Sequence, residues 1–394
     1  MDKKLILKRG KEAPVRRFHP WVFSGAVSRL EGNPQDGDPV SVHSSQGDHL
    51  GWAHFQSGKV TARMLTHGPE RPNAAFWRGR LSAALKLRIR LGLTGSSHTT
   101  AYRLVHGEGD GLPGLIIDIY GRVAVLQCHS IGMHAIRHDL CTILLGLEDL
   151  ALDAVYDKSM PYLSEGAAEE KSGVYLSGHA DPCLIKEHDL SFMVNWETGQ
   201  KTGFFLDQRE NRRLIRKFAP GANVLNLFAY SGGFSVYALA AEAHSVTSVD
   251  SSARALEWAD ENVDFLGKEY SGRHTSVCQD VMQFLSETRI RPGLMIVDPP
   301  AFAKSPHKRH QAVQAYKRLN ARAISKLSPG GILFTFSCSE VISQQLFYDT
   351  IVAAGLEAGR PIQVLHHLSQ GPDHPVSLYH PEGNYLKGLV LSVT

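Results

Sequence analysis

The apolar run Asn223-Val224-Leu225-Asn226-Leu227-Phe228 empties into Ala229-Tyr230-Ser231-Gly232-Gly233-Phe234-Ser235. A buried strand that passes through paired glycines into a helix is the nucleotide-binding corner of a doubly wound fold. Glycine lets the backbone approach a ligand closely, and the helix N-terminus offers free N–H groups to a carboxylate or phosphate. The spacing is not G-x-G-x-x-G, so the dinucleotide fingerprint is absent. Asp250, followed by Ser251, ends the next apolar run roughly 20 residues on, where an acid pairs with ribose hydroxyls. Asp280 ends the third run, placed to accept a bond from an adenine amino group. Asp298-Pro299-Pro300-Ala301-Phe302 closes the fourth, and Phe334-Thr335-Phe336-Ser337-Cys338-Ser339 the fifth. Any one of these acids alone could be a helix cap or a turn former.

Glycine turn, acid, acid and Asp-Pro-Pro at successive strand ends resemble the class I methyltransferase pattern, whose cofactor is S-adenosyl-L-methionine. The Asp298 loop would form the pocket floor, with its rigid prolines fixing the backbone. Amine methylation usually goes with Asn-Pro-Pro-aromatic, whereas an acid suits a ring nitrogen that must be protonated or hydrogen-bonded. Carbon 5 of cytosine is not nucleophilic enough for direct methylation. A thiolate adding to carbon 6 makes an enamine-like species that can attack a sulfonium methyl. Cys338, at a strand end beside the Asp298 loop, sits where that nucleophile has to be, with Asp298 near nitrogen 3. The plain alternative is an inert buried thiol, because cysteine is often simply core.

Five strand ends need a parallel, doubly wound sheet behind them, and from about residue 190 the sequence alternates strand and helix accordingly. Strands are expected at 223–228, 245–250, 275–279, 294–298 and 331–337, with a closing antiparallel hairpin of 362–367 and 385–393. The first 70 or so residues read instead as short, glycine-punctuated strands of a small β-barrel, a common binding module. Between them lies a block opened by a helix with Leu81, Ala84, Leu85 and Ile89 on one face. Gly107-Glu108-Gly109-Asp110-Gly111 within it reads as turn rather than phosphate cradle, since no Gly-Lys-Ser/Thr follows. His134 and His138 are four apart, as helical metal ligands would be, but no third ligand is evident and a surface helix is expected; no metal is.

Composition sets the frame. The 394 residues are too many for one domain. The five cysteines form no C-x-x-C pair, which argues against a zinc ribbon or disulfide framework. No apolar run approaches a membrane span and the N-terminus is no secretory signal, so a soluble cytoplasmic protein with no membrane partner is expected. A net charge of +3 does not demand nucleic acid, but charge clusters locally. Lys304, Lys308, Arg309, Lys317 and Arg318 lie between Ala301 and Asn320 without an acid, and Arg209, Arg212, Arg213 and Arg216 lie close together upstream. These are solvated helix faces or phosphate-binding surfaces.

Along essentially its whole length the chain resembles the RlmI-like family of 23S rRNA cytosine-5 methyltransferases. The matching stretches are His19-Pro20-Trp21-Val22-Phe23-Ser24-Gly25, Thr202-Gly203-Phe204-Phe205-Leu206-Asp207-Gln208-Arg209 and Asp298-Pro299-Pro300-Ala301-Phe302-Ala303-Lys304-Ser305. To these are added Ser337-Cys338-Ser339, Asp373-His374-Pro375 and Pro381-Glu382-Gly383-Asn384-Tyr385-Leu386-Lys387. The resemblance implies an N-terminal PUA-like RNA-binding domain (1–70), a central α+β linking domain (71–190) and a Rossmann-like class I methyltransferase domain (191–394). It implies Cys338 as nucleophile and Asp298 as its partner. The expected cofactor contacts are Gln208, Phe228, Ala229, Ser231, Gly232, Gly233, Asp250, Ser251, Asp280 and Asp298. The expected substrate contacts, with ribosomal RNA as partner, are Lys201, Phe204, Arg209, Arg212, Pro299, Phe302 and Lys304. Gln208 and Asn211 also resemble a Phe-x-Gln-x-x-Asn-like cofactor element. Family members often carry a second cysteine two residues before the nucleophile, where this chain has Phe336. Alternatives are a ribosomal guanosine nitrogen-7 methyltransferase with a similar Asp-Pro-Pro-x-Phe segment, an inactive RNA-binding protein on the same fold, and a small-molecule methyltransferase. The oligomeric state is left open, a homodimer included.

Overall fold

The computed structural model describes residues 3–159, 173–303 and 305–394. They fall into two compact units. The first comprises Met1–Ile185, Val194–Leu206 and Pro372–Gly383. Its N-terminal six-stranded sheet runs in the order Trp21–Phe23, Val60–Thr66, His49–Phe55, Pro39–His43, Lys4–Leu7, Val27–Glu31. Alternate residues of these short strands (Leu5, Leu7, Val40, Val42) turn inward and form one apolar cluster with Val22, Ala53, Phe55 and Ala62. The helix Ala74–Arg90 follows, with Asn73 capping its start by accepting from Phe76 N–H. Trp77, Leu81, Ala84 and Leu85 bury one stripe of it. That stripe packs in a second cluster with Leu104, Ile117, Leu126 and Val155 of a five-stranded sheet.

The segment Pro372–Gly383 belongs to this unit through polar anchors. Asp373, fully buried, accepts from Arg103 N–H (3.0 Å), and its carbonyl accepts from the Arg88 guanidinium (2.7 Å). Arg88 is itself buried in a two-pronged pair with Asp110 (2.5 and 2.8 Å). Glycines 107 to 111 form a 3-10 turn rather than a cradle at a helix start. His134 and His138 fall on two separate short helices, Ile131–Ala135 and Arg137–Leu145, so the single surface helix expected there is corrected. No group of three metal-ligating side chains occurs among the described residues.

The second unit comprises Lys186–Met193, Asp207–Gly371 and Asn384–Thr394. Its sheet has seven strands: β1 Asn223–Leu227, β2 Ser245–Asp250, β3 His274–Cys278, β4 Leu294–Val297, β5 Gly331–Ser337, β6 Ile362–Leu368 and β7 Lys387–Val393. The spatial order is β3-β2-β1-β4-β5-β7-β6. The first five strands are parallel, and β7 enters antiparallel between β5 and β6. β4 is buried at every residue, as a parallel strand covered on both faces requires. Among the described residues six helices longer than one turn flank the sheet: α1 Arg209–Ile215, α2 Gly233–Ala240, α3 Ala253–Asp264, α4 Val281–Glu287, α5 Arg309–Lys326 and α6 Gln344–Ala358. Ser252, Asp280 and Ser343 cap α3, α4 and α6. α2 is apolar and buried almost throughout, whereas α3 buries only the stripe of Ala255, Leu256, Ala259, Asn262 and Val263. The reversal of strand order on either side of β1 makes a crevice at the carboxyl ends of β1 and β4, the ligand position of open α/β sheets.

Candidate active site

Three positive backbone angles shape the turn after β1: Phe228 (φ 59), Tyr230 (φ 47) and Gly232 (φ 74). Only glycine adopts this region without strain, and at Gly232 there is a second reason for it. A Cβ there would lie 2.8 Å from Ala259 Cβ, so the turn lies directly against α3. Ala229 N–H donates to Val249 O (3.1 Å), and Gly232 N–H to Ala229 O (2.9 Å). From α3, the buried Asn262 donates to Ser231 O (2.9 Å) and accepts from Met193 N–H (2.8 Å). Asp250 completes the turn: Oδ2 accepts from Tyr230 N–H (2.9 Å) and Oδ1 from Ser252 N–H (3.0 Å). Each oxygen keeps a lone pair, and the carboxylate is half-buried. Asp280 caps α4 by accepting from Gln283 N–H (2.9 Å) and is exposed, as is Ser251.

This donor set suits S-adenosyl-L-methionine. The first N–H groups of α2 would suit its carboxylate, the Asp250 carboxylate its ribose diol, and Asp280 its amino group.

Asp298 follows β4 directly. Gln208 donates to Asp298 Oδ2 (3.0 Å), and Asn211 in turn donates to Gln208 Oε1 (2.6 Å) and Ser369 O (3.1 Å). Gln208 and Asn211 are both buried, so this amide relay fixes the carboxylate from behind. The neighbouring Asp207 accepts from the Tyr385 hydroxyl (2.6 Å), and its carbonyl accepts from Gly371 N–H (3.2 Å).

Cys338 follows β5 and is partly exposed, with its Sγ 3.9 Å from Pro299 O. The two loops are laced together at the next residue, where the Ser339 hydroxyl donates to Ala303 O (2.8 Å). Phe302 packs on Tyr316 of α5 at a ring separation of 4.6 Å, and burial pushes the Tyr316 hydroxyl up to about 12. Phe336 is fully buried against Phe234 and close to Gly388, so the position of a second cysteine is filled by core packing.

The structure thus brings together Gln208, Asp298, Pro299, Phe302 and Cys338 at the ends of β4 and β5. Lys201 and Phe204 belong to the first unit, Lys201 exposed and Phe204 buried with its N–H on the Tyr120 hydroxyl (3.2 Å). Lys304 lies outside the described residues. Arg212 is corrected outright. Its fork is buried in a bidentate pair with the fully buried Glu187 (2.7 and 2.6 Å), and its stem runs beneath Gly233. It supports α2 and is no surface contact. Arg209 is likewise only 1% exposed, so the arginines of α1 are not one solvated face. Lys317 is neutralised by Glu357 (2.7 Å), while His307, Lys308, Arg309 and Arg318 stay exposed.

Sequence reasoning gave no role to Lys387, which is 4% exposed on β7 directly opposite Ser337 and donates to Ser339 O (2.7 Å). A lone lysine heading an apolar strand was the available signal. No helix among the described residues is long and apolar enough to cross a membrane.

Residues 159–376 match the family model of S-adenosylmethionine-dependent methyltransferases, and residues 5–67 that of PUA-like domains. The chain is 40% identical to "Ribosomal RNA large subunit methyltransferase I" of Erwinia tasmaniensis, with 100% of both chains covered. It is 37% identical to the protein of that name from Aeromonas salmonicida, with 98% of both covered. Among solved structures, a chain from Streptococcus mutans described as a SAM-dependent methyltransferase superposes with a TM-score of 0.84 over 100% of both chains, at 23% identity. A methyltransferase structure complexed with SAH reaches 0.85 at 23% identity, again over 100% of both. At that identity these two establish the fold.

Proposed function

The chain belongs to the ribosomal RNA large subunit methyltransferase I family, and from that premise we propose that it methylates carbon 5 of a cytidine in large-subunit ribosomal RNA. Bound S-adenosyl-L-methionine supplies an electrophilic methyl group on a sulfonium centre. The turn at Ser231–Gly233, Asp250 and Asp280 hold its carboxylate, ribose and adenine ends. The thiolate of Cys338 adds to carbon 6, and the electron pair released to carbon 5 makes that carbon nucleophilic. Asp298, held by Gln208, hydrogen-bonds nitrogen 3 and stabilises the charge that develops there. Once carbon 5 carries the methyl group, loss of its proton and cleavage of the carbon 6–sulfur bond return Cys338 as thiolate. Phe336 leaves no second thiol at that neighbouring strand position, so Cys338 is both nucleophile and leaving group, and the carbon-5 proton passes to a base other than a cysteine at position 336.

The observation that carries this reading is the placement of Cys338 Sγ 3.9 Å from Pro299 O, on the Asp-Pro-Pro loop that bears Asp298. Direct attack by guanosine nitrogen 7 needs no thiol in that position. Residues 1–70 serve as the RNA-binding module and 71–190 as the link to the catalytic residues 191–394. Arg209, only 1% exposed, is withdrawn with Arg212, and Lys201, Pro299, Phe302 and Lys304 remain the proposed RNA contacts; a substrate of this kind puts the enzyme's work in the cytoplasm. Nucleoside mass spectrometry of ribosomal RNA from a deletion strain tests the reading. Loss of 5-methylcytidine, restored by the wild-type gene and not by Cys338→Ala, is expected. Loss of 7-methylguanosine instead overturns it.

A further inference from the structure

We propose that Lys387 is the positioning residue that holds Cys338 as a thiolate, its ammonium group supplying the positive charge behind the nucleophile. This rests on Cys338 being the nucleophile, but it concerns how the thiol is ionised, which can be read without any RNA.

The geometry comes from strand pairing. β7 runs antiparallel to β5, and Lys387 is the register partner of Ser337, the residue before Cys338. Directly opposed residues in an antiparallel pair project to the same face, so the lysine stem rises alongside the end of β5. Its Nζ donates to the carbonyl of Ser339, the residue after Cys338 (2.7 Å). Lys387 therefore meets the residues on both sides of the cysteine, Ser337 by strand register and Ser339 by hydrogen bond. Lysine is a compact charge with three donors, and one hydrogen bond to Ser339 leaves two for a thiolate.

Among the described residues, the titratable groups around this pair include two acids and a phenol. Asp298 follows β4, Tyr316 comes from α5, and Glu340 follows Ser339. Asp298 and Glu340 oppose a thiolate, and Lys387 offsets them. Burial pulls Lys387 down to about 8, while the nearby Cys338 and Glu340 pull it upward. The attraction is mutual, because a cation held charged by a thiolate lowers the pKa of the thiol by the same coupling. A lysine at only 4% exposure needs such a partner, since an isolated buried ammonium group is among the costliest side chains to fold around.

The test is the pH dependence of Cys338 alkylation by iodoacetamide, read by mass spectrometry of its peptide in the full-length protein. The exposed Cys278 serves as control in the same sample. In Lys387→Met the midpoint for Cys338 should rise by about one unit or more, as loss of a neighbouring unit charge requires. Lys387→Arg keeps the charge and should hold the midpoint near wild type, and Cys278 should not move in either variant. An unchanged Cys338 midpoint in Lys387→Met overturns the proposal. Should that variant not fold, the wild type decides: Cys338 must ionise at lower pH than Cys278, and an equal or higher midpoint overturns it. Activity of Cys338→Ala is a separate readout. If that variant still methylates RNA, the proposed reaction fails whatever the alkylation shows.

Discussion

Gly232→Ala should damage the cofactor turn twice over. At φ 74 an alanine sits in the left-handed region, which costs about 1–2 kcal/mol for a residue with a Cβ. The added methyl group would also stand 2.8 Å from Ala259 Cβ and 3.1 Å from Ala259 Cα. Ala259 is fully buried in α3, and its Cβ has no torsion by which to give way. Forcing one carbon into a packed contact of this kind costs about 1–3 kcal/mol. The sum, about 2–5 kcal/mol, can be relieved only by moving α3 or the turn. Moving α3 strains the Asn262 bond to Ser231 O, and moving the turn shifts the N–H groups that face the ligand. Gly233→Ala is the matched control. Its Cβ would meet Arg212 Cδ at 3.0 Å, a side-chain atom that can shift slightly, and alanine is the better helix former. Differential scanning calorimetry and titration calorimetry with S-adenosyl-L-methionine should show Gly232→Ala unfolding several degrees lower. Its cofactor affinity should be at least about tenfold weaker, or 1.4 kcal/mol, with Gly233→Ala close to wild type. Equal behaviour of the two variants would refute the steric reasoning.

Three other substitutions follow from the same contacts. Asp250→Ala leaves Tyr230 N–H, Ser252 N–H and the ribose without their acceptor, and should weaken cofactor binding by about 1–3 kcal/mol in titration calorimetry. Wild-type affinity there would remove Asp250 from the site. Glu187→Ala strands the Arg212 charge in the core and should cost about 3–5 kcal/mol in urea unfolding, whereas replacing both partners by leucine and methionine should recover most of it. A cost below about 1 kcal/mol would show that water reaches Arg212. Lys387 is held near 8 against 10.5 when unfolded, so below pH 8 the fold carries the cost of its charge, and stability recovers as pH rises from 8 to 10.5. Lys387→Met, less about 1 kcal/mol for the bare Ser339 carbonyl, should be about 2 kcal/mol more stable than wild type at pH 7 and lose that advantage by pH 10.5. A variant less stable at both pH values contradicts a desolvated ammonium group.

The catalytic sheet was legible because its strands are buried on both faces and therefore read as unbroken apolar runs. Leu294–Val297 and Gly331–Ser337 fall where their composition places them, and each is followed directly by a residue of the site. The positive φ at Gly232 is likewise written in the glycine pair. Long-range pairing was not legible. Arg212 sits in a run of arginines that reads as surface, and its partner Glu187 is 25 residues upstream on a different element. Asp373 and His374 look like part of the catalytic region by position, yet Asp373 is anchored to Arg103, 270 residues away, in the first unit. Lys387 was hidden for a related reason. Its neighbours Ser337 and Ser339 lie at the end of β5 and just after it, and only the insertion of β7 between β5 and β6 brings them together.

The covalent role of Cys338 is tested most directly with RNA that carries 5-fluorocytidine at the target position. Fluorine cannot leave as a proton does, so elimination is blocked after methyl transfer and the carbon 6–sulfur bond persists. The wild-type protein, given S-adenosyl-L-methionine, should form an adduct with this RNA that survives denaturing electrophoresis. Cys338→Ala should form none while still binding the cofactor. Methylation of unmodified RNA by Cys338→Ala, with no adduct from the wild type, would contradict the thiolate mechanism and return the base to guanosine.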